Sequence, residues 1–505
     1  MQNRCYLAPL LALITVSGPV FAQANKSVMG EWGAVIKWPH VPAHMVQLND
    51  GKMLTWAAAT ADDFQFSTPN YTVAAIFDPG NNGFQSTPNP RQNMFCAGLA
   101  RTIDGRTMAV GGGAATYLSS LFNPNSNSWT ATGDTWRRRW YPTSVTLPSG
   151  EIFMALGAGQ DTLTELWSPT TNIWNAMWNV DFSPILQEYG APDNPDYEWY
   201  PWLHVAPNGK LFYSGPTRNL YWVDPRGGSA NNVELVGPLV PGNTRMRLWG
   251  NSIMYRPGQL LITGGRDITL TPPATNEAFN ININGANPIT TSIAPMNYAR
   301  VFHHTLTLPT GEVMALGGNT TAEKFTDNGA ILTPEMWNPA ANKWRLLAPM
   351  SVARPYHSTA ALMKDGRVLI VGGGVCGPCG ANHPDGQIYS PPYLFAANGT
   401  AAARPSISSG SVPSTIRVGS SFTVKASTGI VAFNLIRLQA TTHGIQTDHR
   451  FIPLLIAGSN RAGSRTEFTL ATTNNANVLV PGDYWLYAVS DTGTPSVAAT
   501  IRVTQ

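Results

Sequence analysis

Short apolar runs alternate with glycine-rich turns along most of the chain. The unit is a small or polar residue, a glycine, a strand-length apolar run and often a glycine doublet. It reads DGKMLTWAA from Asp50, DGRTMAVGGG from Asp104, SGEIFMALGAG from Ser149 and NGKLFYSGP from Asn208. It returns as PGQLLITGG from Pro257, TGEVMALGG from Thr310 and DGRVLIVGGG from Asp365. These seven copies start 45 to 59 residues apart. Several precede an aromatic–proline–tryptophan tail, as in LFNPNSNSW, LWSPTTNIW and MWNPAANKW. Glycine permits the tight turn, and the β-branched residues between turns favour short strands.

A period near 50 with this signature resembles kelch repeats, which implies a seven-bladed β-propeller over residues 26–398. Each blade would bury its faces against its neighbours, without a single large core. AANGTAAARP, 396–405, reads as a linker of small residues closed by proline. Beyond it, SFTVKAS, FNLIRLQATTH, RFIPLLIA, TEFTLAT, GDYWLYAVS and VAATIRVTQ alternate as strands. They predict an immunoglobulin-like β-sandwich over 404–505. The fold class is therefore all-β, and no capped helical pattern appears outside the first residues.

The first residues read as a secretory signal over 1–22: Arg4, an apolar run from Leu7 to Val20, then small residues at the cleavage site. Secretion, to the periplasm or beyond the cell, is expected, with no transmembrane segment. A formal charge of +3 with only 12% charged residues gives no reason to expect a nucleic-acid partner. The one basic cluster, Arg137-Arg138-Arg139, reads as solvated or ion-paired surface.

Removing the signal takes Cys5 and leaves Cys96, Cys376 and Cys379. An odd cysteine in an oxidising compartment signals a reactive thiol, an intermolecular bond or unusual chemistry. Cys96 lies in FCAG. Three further segments stand out: RRWYPTSVTLPSG at Tyr141, ARPYHSTAALMKDGRV at Tyr356-His357 and QATTHGIQTDHRFIPL at His443. Singly each is weak, because a lone tyrosine on a strand is usually packing and a lone histidine usually structural. Adjacent Tyr356 and His357 would face opposite ways on a regular strand. A shared site requires the backbone to turn there. His303 and His304, just before a blade turn, read as inter-blade hydrogen bonders.

Together these segments resemble the copper radical oxidases, the galactose oxidase and glyoxal oxidase group, from about residue 50 to the end. The likeness is densest at PYHS…DGRV…GGGVCGPCGANHPDGQIYSPPYLF…ARP, THGIQTDHRFIPL and PSVAATIRVTQ. It implies one copper ion and a Cys96–Tyr141 thioether as a protein-derived radical cofactor. Tyr141, Tyr356, His357 and His443 would be the metal ligands, with Cys96, Tyr141 and Tyr356 catalytic. Imidazole suits Cu(II) in a tetragonal site. Tyr356 would take the substrate hydroxyl proton, and the Tyr141 radical a carbon-bound hydrogen. O2 would leave as hydrogen peroxide. Because His443 follows the linker, the C-terminal domain must send a loop into the propeller's centre.

By the same likeness, Cys376 and Cys379 form a structural disulfide. CGPC is also the thioredoxin tetrapeptide, but here no helix follows it. Where galactose oxidase stacks a tryptophan on its thioether, this chain has Gly159 and Gln160, so either Trp199, Trp202 or another of the 16 tryptophans would shield the radical or the radical would be less stable, and Trp199 and Trp202 would line the substrate wall. Phe325 matches a substrate-wall phenylalanine, while the sugar-contacting arginine and Tyr-Gln pair are replaced. The implied reaction is oxidation of a small alcohol, aldehyde or sugar by O2, by a monomer. A non-catalytic propeller binding glycans or proteins is the alternative. The set Cys96, Tyr141, Tyr356, His357 and His443 weighs against it.

Overall fold

The computed structural model describes residues 26–505 apart from 65–69, 114, 158–161, 189–199, 229–231, 243–244 and 268–272, and apart from the side chain of residue 462. Seven antiparallel sheets stand around an axis, and each glycine turn of the repeat joins the first two strands of a blade. Blade 1 runs His44–Gln47, Met53–Trp56, Ala74–Asp78 and Gly83–Ser86. Blades 2 to 6 occupy 98–131, 143–181, 203–238, 251–292 and 304–346. Blade 7 takes Ser358–Leu362, Val368–Gly372 and Asp385–Ser390 from the last repeat. Its outer edge comes from the other end of the chain, where Glu31–Trp32 and Ile36–Lys37 pair with Asp385–Ser390. This exchange ties the first and last blades into a closed ring. It also covers an edge that would otherwise be open.

Burial falls from the axis outward. In blade 2 the innermost strand Gly98–Arg101 is buried throughout, whereas Ser128–Ala131 is mostly exposed. A second repeated device lies between blades. Arg139, Arg300 and Arg354 are fully buried and pair with Glu165, Glu335 and Asp385. Arg139 also donates to the carbonyls of Leu156 and Leu163. Arg139 is thus an interior strut and not surface, which corrects the reading of the basic triplet. His303 and His304 fasten blade 6 to both neighbours, through Thr263 at 2.8 Å and Ser358 at 3.0 Å.

The C-terminal domain has strand order Thr415–Arg417, Ala499–Thr504, Gly482–Ser490, Ile430–Arg437, Phe451–Ala462, Arg465–Ala471, Ser421–Ser427. The long strand Phe451–Ala462 bends at a bulge between Ile456 and Gly458, pairing on one side with Ile430–Arg437 and on the other with Arg465–Ala471. That bend folds the sheet over its own core of Phe433, Leu435, Leu470 and Leu486. Phe451, Trp485 and Tyr487 pack into the same apolar cluster as Met363, Leu308 and Met45, so the two domains share a core.

From this junction, residues 438–450 enter the propeller axis. Ala440–Thr442 adds a strand to the inner edge of blade 1. Asp448 accepts from the Arg101 amide at 2.7 Å, Thr447 donates to the Ser144 carbonyl at 2.6 Å, and Arg450 donates to Val205 at 3.1 Å. Asn251 donates to the Gly444 carbonyl at 2.6 Å, and Gln446 donates to the carbonyl of Thr305. The segment is thereby bonded to blades 1 through 6. Gly444 is required, since a Cβ there would meet the His303 carbonyl at 2.6 Å and φ is +82°.

Candidate metal centre

Each blade brings its chain to the axis just before its innermost strand. In six blades the residue at that point is non-glycine with positive φ: Cys96 (61°), Tyr141 (63°), Tyr200 (47°), Trp249 (58°), Phe302 (57°) and His357 (71°). The left-handed turn is what lets a side chain aim along the axis before the strand begins. Such residues cost about 1–3 kcal/mol each, and they persist only where surrounding structure holds them. Backbone hydrogen bonds link these turns around the ring, Tyr141 to Cys96 (2.9 Å), Tyr200 to Tyr141 (2.9 Å) and Phe302 to Trp249 (2.8 Å). His443, also at positive φ (53°), arrives from the C-terminal plug.

The buried arginines stand two residues before three of these positions. Arg139-Trp140-Tyr141, Arg247-Leu248-Trp249 and Arg300-Val301-Phe302 share the pattern arginine, any residue, aromatic, as does Arg354-Pro355-Tyr356. In the last, His357 rather than Tyr356 takes the left-handed turn. Tyr356 and His357 therefore face one site, with ring centroids 3.9 Å apart. This triplet was legible in the sequence. It marks Trp249 and Phe302, which inspection of single motifs did not find.

Cys96, His357 and His443 present ligand atoms within 4.8 Å of one another. The Cys96 Sγ lies 3.6 Å from His443 Nε2. The phenol oxygens of Tyr141 and Tyr356 are 2.6 Å apart, and Tyr141 Oη is 3.4 Å from His357 Nε2. Both histidines are held by Nδ1: His357 against the Gly374 carbonyl and His443 against Thr442 Oγ1 at 2.6 Å. This leaves each Nε2 facing the centre, the arrangement that orients imidazole ligands. The Cys96 amide donates to His44 Nε2 at 3.1 Å, which fixes the cysteine from behind.

Burial dominates the electrostatics. It brings His357 down to about 3 and holds His443 well below its usual range, so both imidazoles are neutral at pH 7. His443 still keeps an edge accessible to solvent. Burial also raises the Tyr141 phenol and the Cys96 thiol, although the Tyr141 and Trp140 side chains beside the thiol oppose its rise. Two phenols and two neutral imidazoles converge in a site that penalises negative charge. A dication would offset that penalty and ionise the phenols, so the donor set fits Cu(II).

Aromatic rings enclose the centre. Trp140 and Tyr200 meet the Tyr141 ring edge-on at 4.9 and 5.0 Å. Phe325 stands 5.5 Å from both Tyr356 and His357, and Phe64 stacks between Phe95 and Phe325. Trp202 does not join them. It packs between blades 4 and 5 with Phe212 and Leu260, because the turn at Tyr200 spends the axial position two residues earlier. The shielding expected of Trp202 is thus corrected. Trp199 lies outside the described residues, as do Gly159, Gln160 and the signal segment 1–22. Cys376 and Cys379 are bonded to each other in the loop that follows Gly374.

Residues 404–503 match the galactose oxidase-like early set domain, and 261–376 match the glyoxal oxidase N-terminus. The chain is 31% identical over 495 residues to a galactose oxidase of Gibberella zeae, covering 94% of this chain and 71% of that one. It is 25% identical over 515 residues to the aldehyde oxidase GLOX1 of Arabidopsis thaliana, covering 92% and 78%. A fungal alcohol oxidase of the AA5 family, solved in complex with copper, aligns with a TM-score of 0.86 at 29% identity, over 94% of this chain and all of that one.

Proposed function

Because the chain belongs to the galactose oxidase family of copper radical oxidases, we propose that it oxidises primary alcohols or aldehydes with O2, yielding hydrogen peroxide. Tyr141, Tyr356, His357 and His443 would hold the copper, and Cys96 would be joined to the Tyr141 ring through sulfur. The observation that carries this reading is the convergence at one axial point of two anchored imidazoles, two phenols 2.6 Å apart and a buried cysteine beside one of them. When bound, copper supplies a one-electron acceptor and the cross-linked tyrosine a second one, matching the two electrons that alcohol or aldehyde oxidation releases.

The chain's own residues do the rest. Tyr356, hydrogen-bonded to Tyr141 and packed edge-on against Phe325, takes the substrate hydroxyl proton at Oη. The Gly374 carbonyl and Thr442 hold the imidazoles in the tautomer that leaves Nε2 free. Phe64, Phe95 and Phe325 stack in a row beside His357 and would exclude water around the reacting carbon. The struts Arg139–Glu165 and Arg354–Asp385 lock the turns that carry Tyr141, Tyr356 and His357. A glycan-binding propeller would have no use for this donor set.

No helix among the described residues is long and apolar enough to cross a membrane. The apolar leader at 1–22 supports export. The test is peroxide release from primary alcohols and aldehydes by copper-loaded protein. Turnover that needs copper and disappears in Tyr356→Phe supports the reading. Copper-loaded protein that releases no peroxide from any such substrate overturns it.

A further inference from the structure

Three of the axial turns are held in the same way. The Tyr141 amide donates to the Cys96 carbonyl, Tyr200 to Tyr141 and Phe302 to Trp249, at 2.8 to 2.9 Å. Each turn hangs on the one before it. Cys96 has no such support, because blade 1 carries no non-glycine residue at positive φ ahead of its inner strand. A side chain replaces the missing carbonyl: the Cys96 amide donates to His44 Nε2 at 3.1 Å. His44 opens the inner strand of blade 1 and is fully buried. An amide buried here without an acceptor would be costly.

The surroundings keep the His44 ring in place. It stacks on Trp56, with centroids 4.8 Å apart and planes 6° from parallel. Trp56 Nε1 donates to the Met94 carbonyl at 3.3 Å. The two rings thus grip residues 94–96 at both ends. The amides between are also received by side chains, Met94 by Thr72 Oγ1 at 2.8 Å and Phe95 by Asn93 Oδ1 at 3.2 Å. Across the strand pair His44 is opposite Thr442, which holds His443, and its ring meets that of His443 edge-on at 5.8 Å.

The Cys96 sulfur has two partners within reach. It lies beside the Tyr141 and Trp140 side chains, and it is also 3.6 Å from His443 Nε2. It belongs to the same group of ligand atoms as His357 and His443. Thiolate is a strong copper ligand. A cysteine free to shift could therefore bind the metal instead of joining the Tyr141 ring.

We propose that His44 is the positioning residue that commits Cys96 to the thioether: by accepting the Cys96 amide, Nε2 holds the sulfur against the Tyr141 ring and out of the metal's ligand set. This rests on the oxidase reading above and extends it to how the cofactor is made. In that step the S–H bond and one ring C–H bond break and a C–S bond forms. Two protons and two electrons leave, and O2 takes them up as hydrogen peroxide. His44 acts through the Cys96 backbone alone and touches none of these bonds.

The test follows cross-linking over time by peptide mass spectrometry, after copper-free protein is given excess copper and O2. His44→Leu fills the space without an acceptor, and His44→Gln returns an amide oxygen near the Nε2 position. Both lose the stack on Trp56, so the difference between them reads the hydrogen bond. The expected rate is about 10- to 100-fold lower in His44→Leu and within about threefold of wild type in His44→Gln. Before it cross-links, His44→Leu should also show the intense visible absorption of thiolate bound to Cu(II), which His44→Gln should lack. His44→Ala repeats the comparison if leucine does not fit, and urea midpoints confirm that the variants compared are folded. If wild type cross-links and the acceptor-free variants match its rate, or if His44→Gln is as slow as they are, the assignment is overturned while the oxidase reading stands. If wild type itself keeps a free Cys96 thiol with copper bound, the oxidase reading fails and the assignment fails with it.

Discussion

The axial ring has two halves built on one backbone plan. Blades 2, 3 and 7 place Cys96, Tyr141 and His357 at the left-handed turn, with Tyr356 just before the last. Blades 4, 5 and 6 place Tyr200, Trp249 and Phe302 at the same turn. Both halves carry the arginine strut, with Arg139–Glu165 under Tyr141 and Arg300–Glu335 under Phe302. One half offers the phenols and imidazole proposed to hold copper, with the thiol beside them, and the other offers a mostly apolar wall. The repeat therefore fixes where a side chain goes, and the residue type at the tip alone decides what it does. Blade 1 has no such turn, and the plug residue His443 completes the donor half in its place.

The largest expected contrast between the halves is in turnover. Tyr356→Phe should lower kcat by about 10²–10⁴-fold while copper stays bound. Phe302→Leu, which touches the same ring at 4.9 Å from the opposite half, should change it by less than tenfold. Peroxide release with copper content by atomic absorption measures both. Equal losses would mean that the halves are not chemically distinct.

Next comes stability, where the halves should agree. Glu165→Ala and Glu335→Ala each leave a buried arginine without its carboxylate, a loss of about 3–5 kcal/mol by urea denaturation. Only Glu165→Ala should also slow the Cys96–Tyr141 reaction. A strut loss confined to one half would break the shared-plan account.

A smaller effect is expected behind the donors. Thr442→Val removes the acceptor for His443 Nδ1 and should weaken copper binding about 10- to 100-fold. Competition with a chelator reads this directly. Unchanged affinity would remove Thr442 from the site.

The smallest effect per group is in acid. His40, His204, His304 and His449 are each brought to about 3 by burial. The unfolded chain binds protons on them near pH 6.5, so it holds more protons than the folded state between about 6.5 and 3. Their contribution is therefore neutral above pH 6.5 and destabilising as pH falls through that window. The urea midpoint of copper-free protein should drop on going from about pH 7 to about pH 5. A midpoint that rises would contradict the burial of these histidines as neutral groups.

The blades were legible because each glycine turn sits at a fixed point of the repeat, and the C-terminal domain because strands such as Ser421–Ser427 and Arg465–Ala471 alternate. Ring closure was not, because Glu31–Trp32 and Ile36–Lys37 are two-residue strands with no repeat signature. The proposed donor residues were reached through resemblance. Their convergence depends on left-handed turns that composition and periodicity do not encode at cysteine, tyrosine or histidine. Trp202 was misplaced for the same reason: without the turn at Tyr200, nothing in YPWLH says which aromatic faces the axis. His44 was missed because a single histidine in a strand carries no pattern until Cys96 and Trp56 are beside it.

The central claim is that Cys96 and Tyr141 form one cofactor. The most direct measurement is peptide mass spectrometry on protein made without copper and then exposed to copper and O2. The account predicts that the Cys96 and Tyr141 peptides become one species, two hydrogens lighter than their sum. A free Cys96 thiol in protein with copper bound would contradict it.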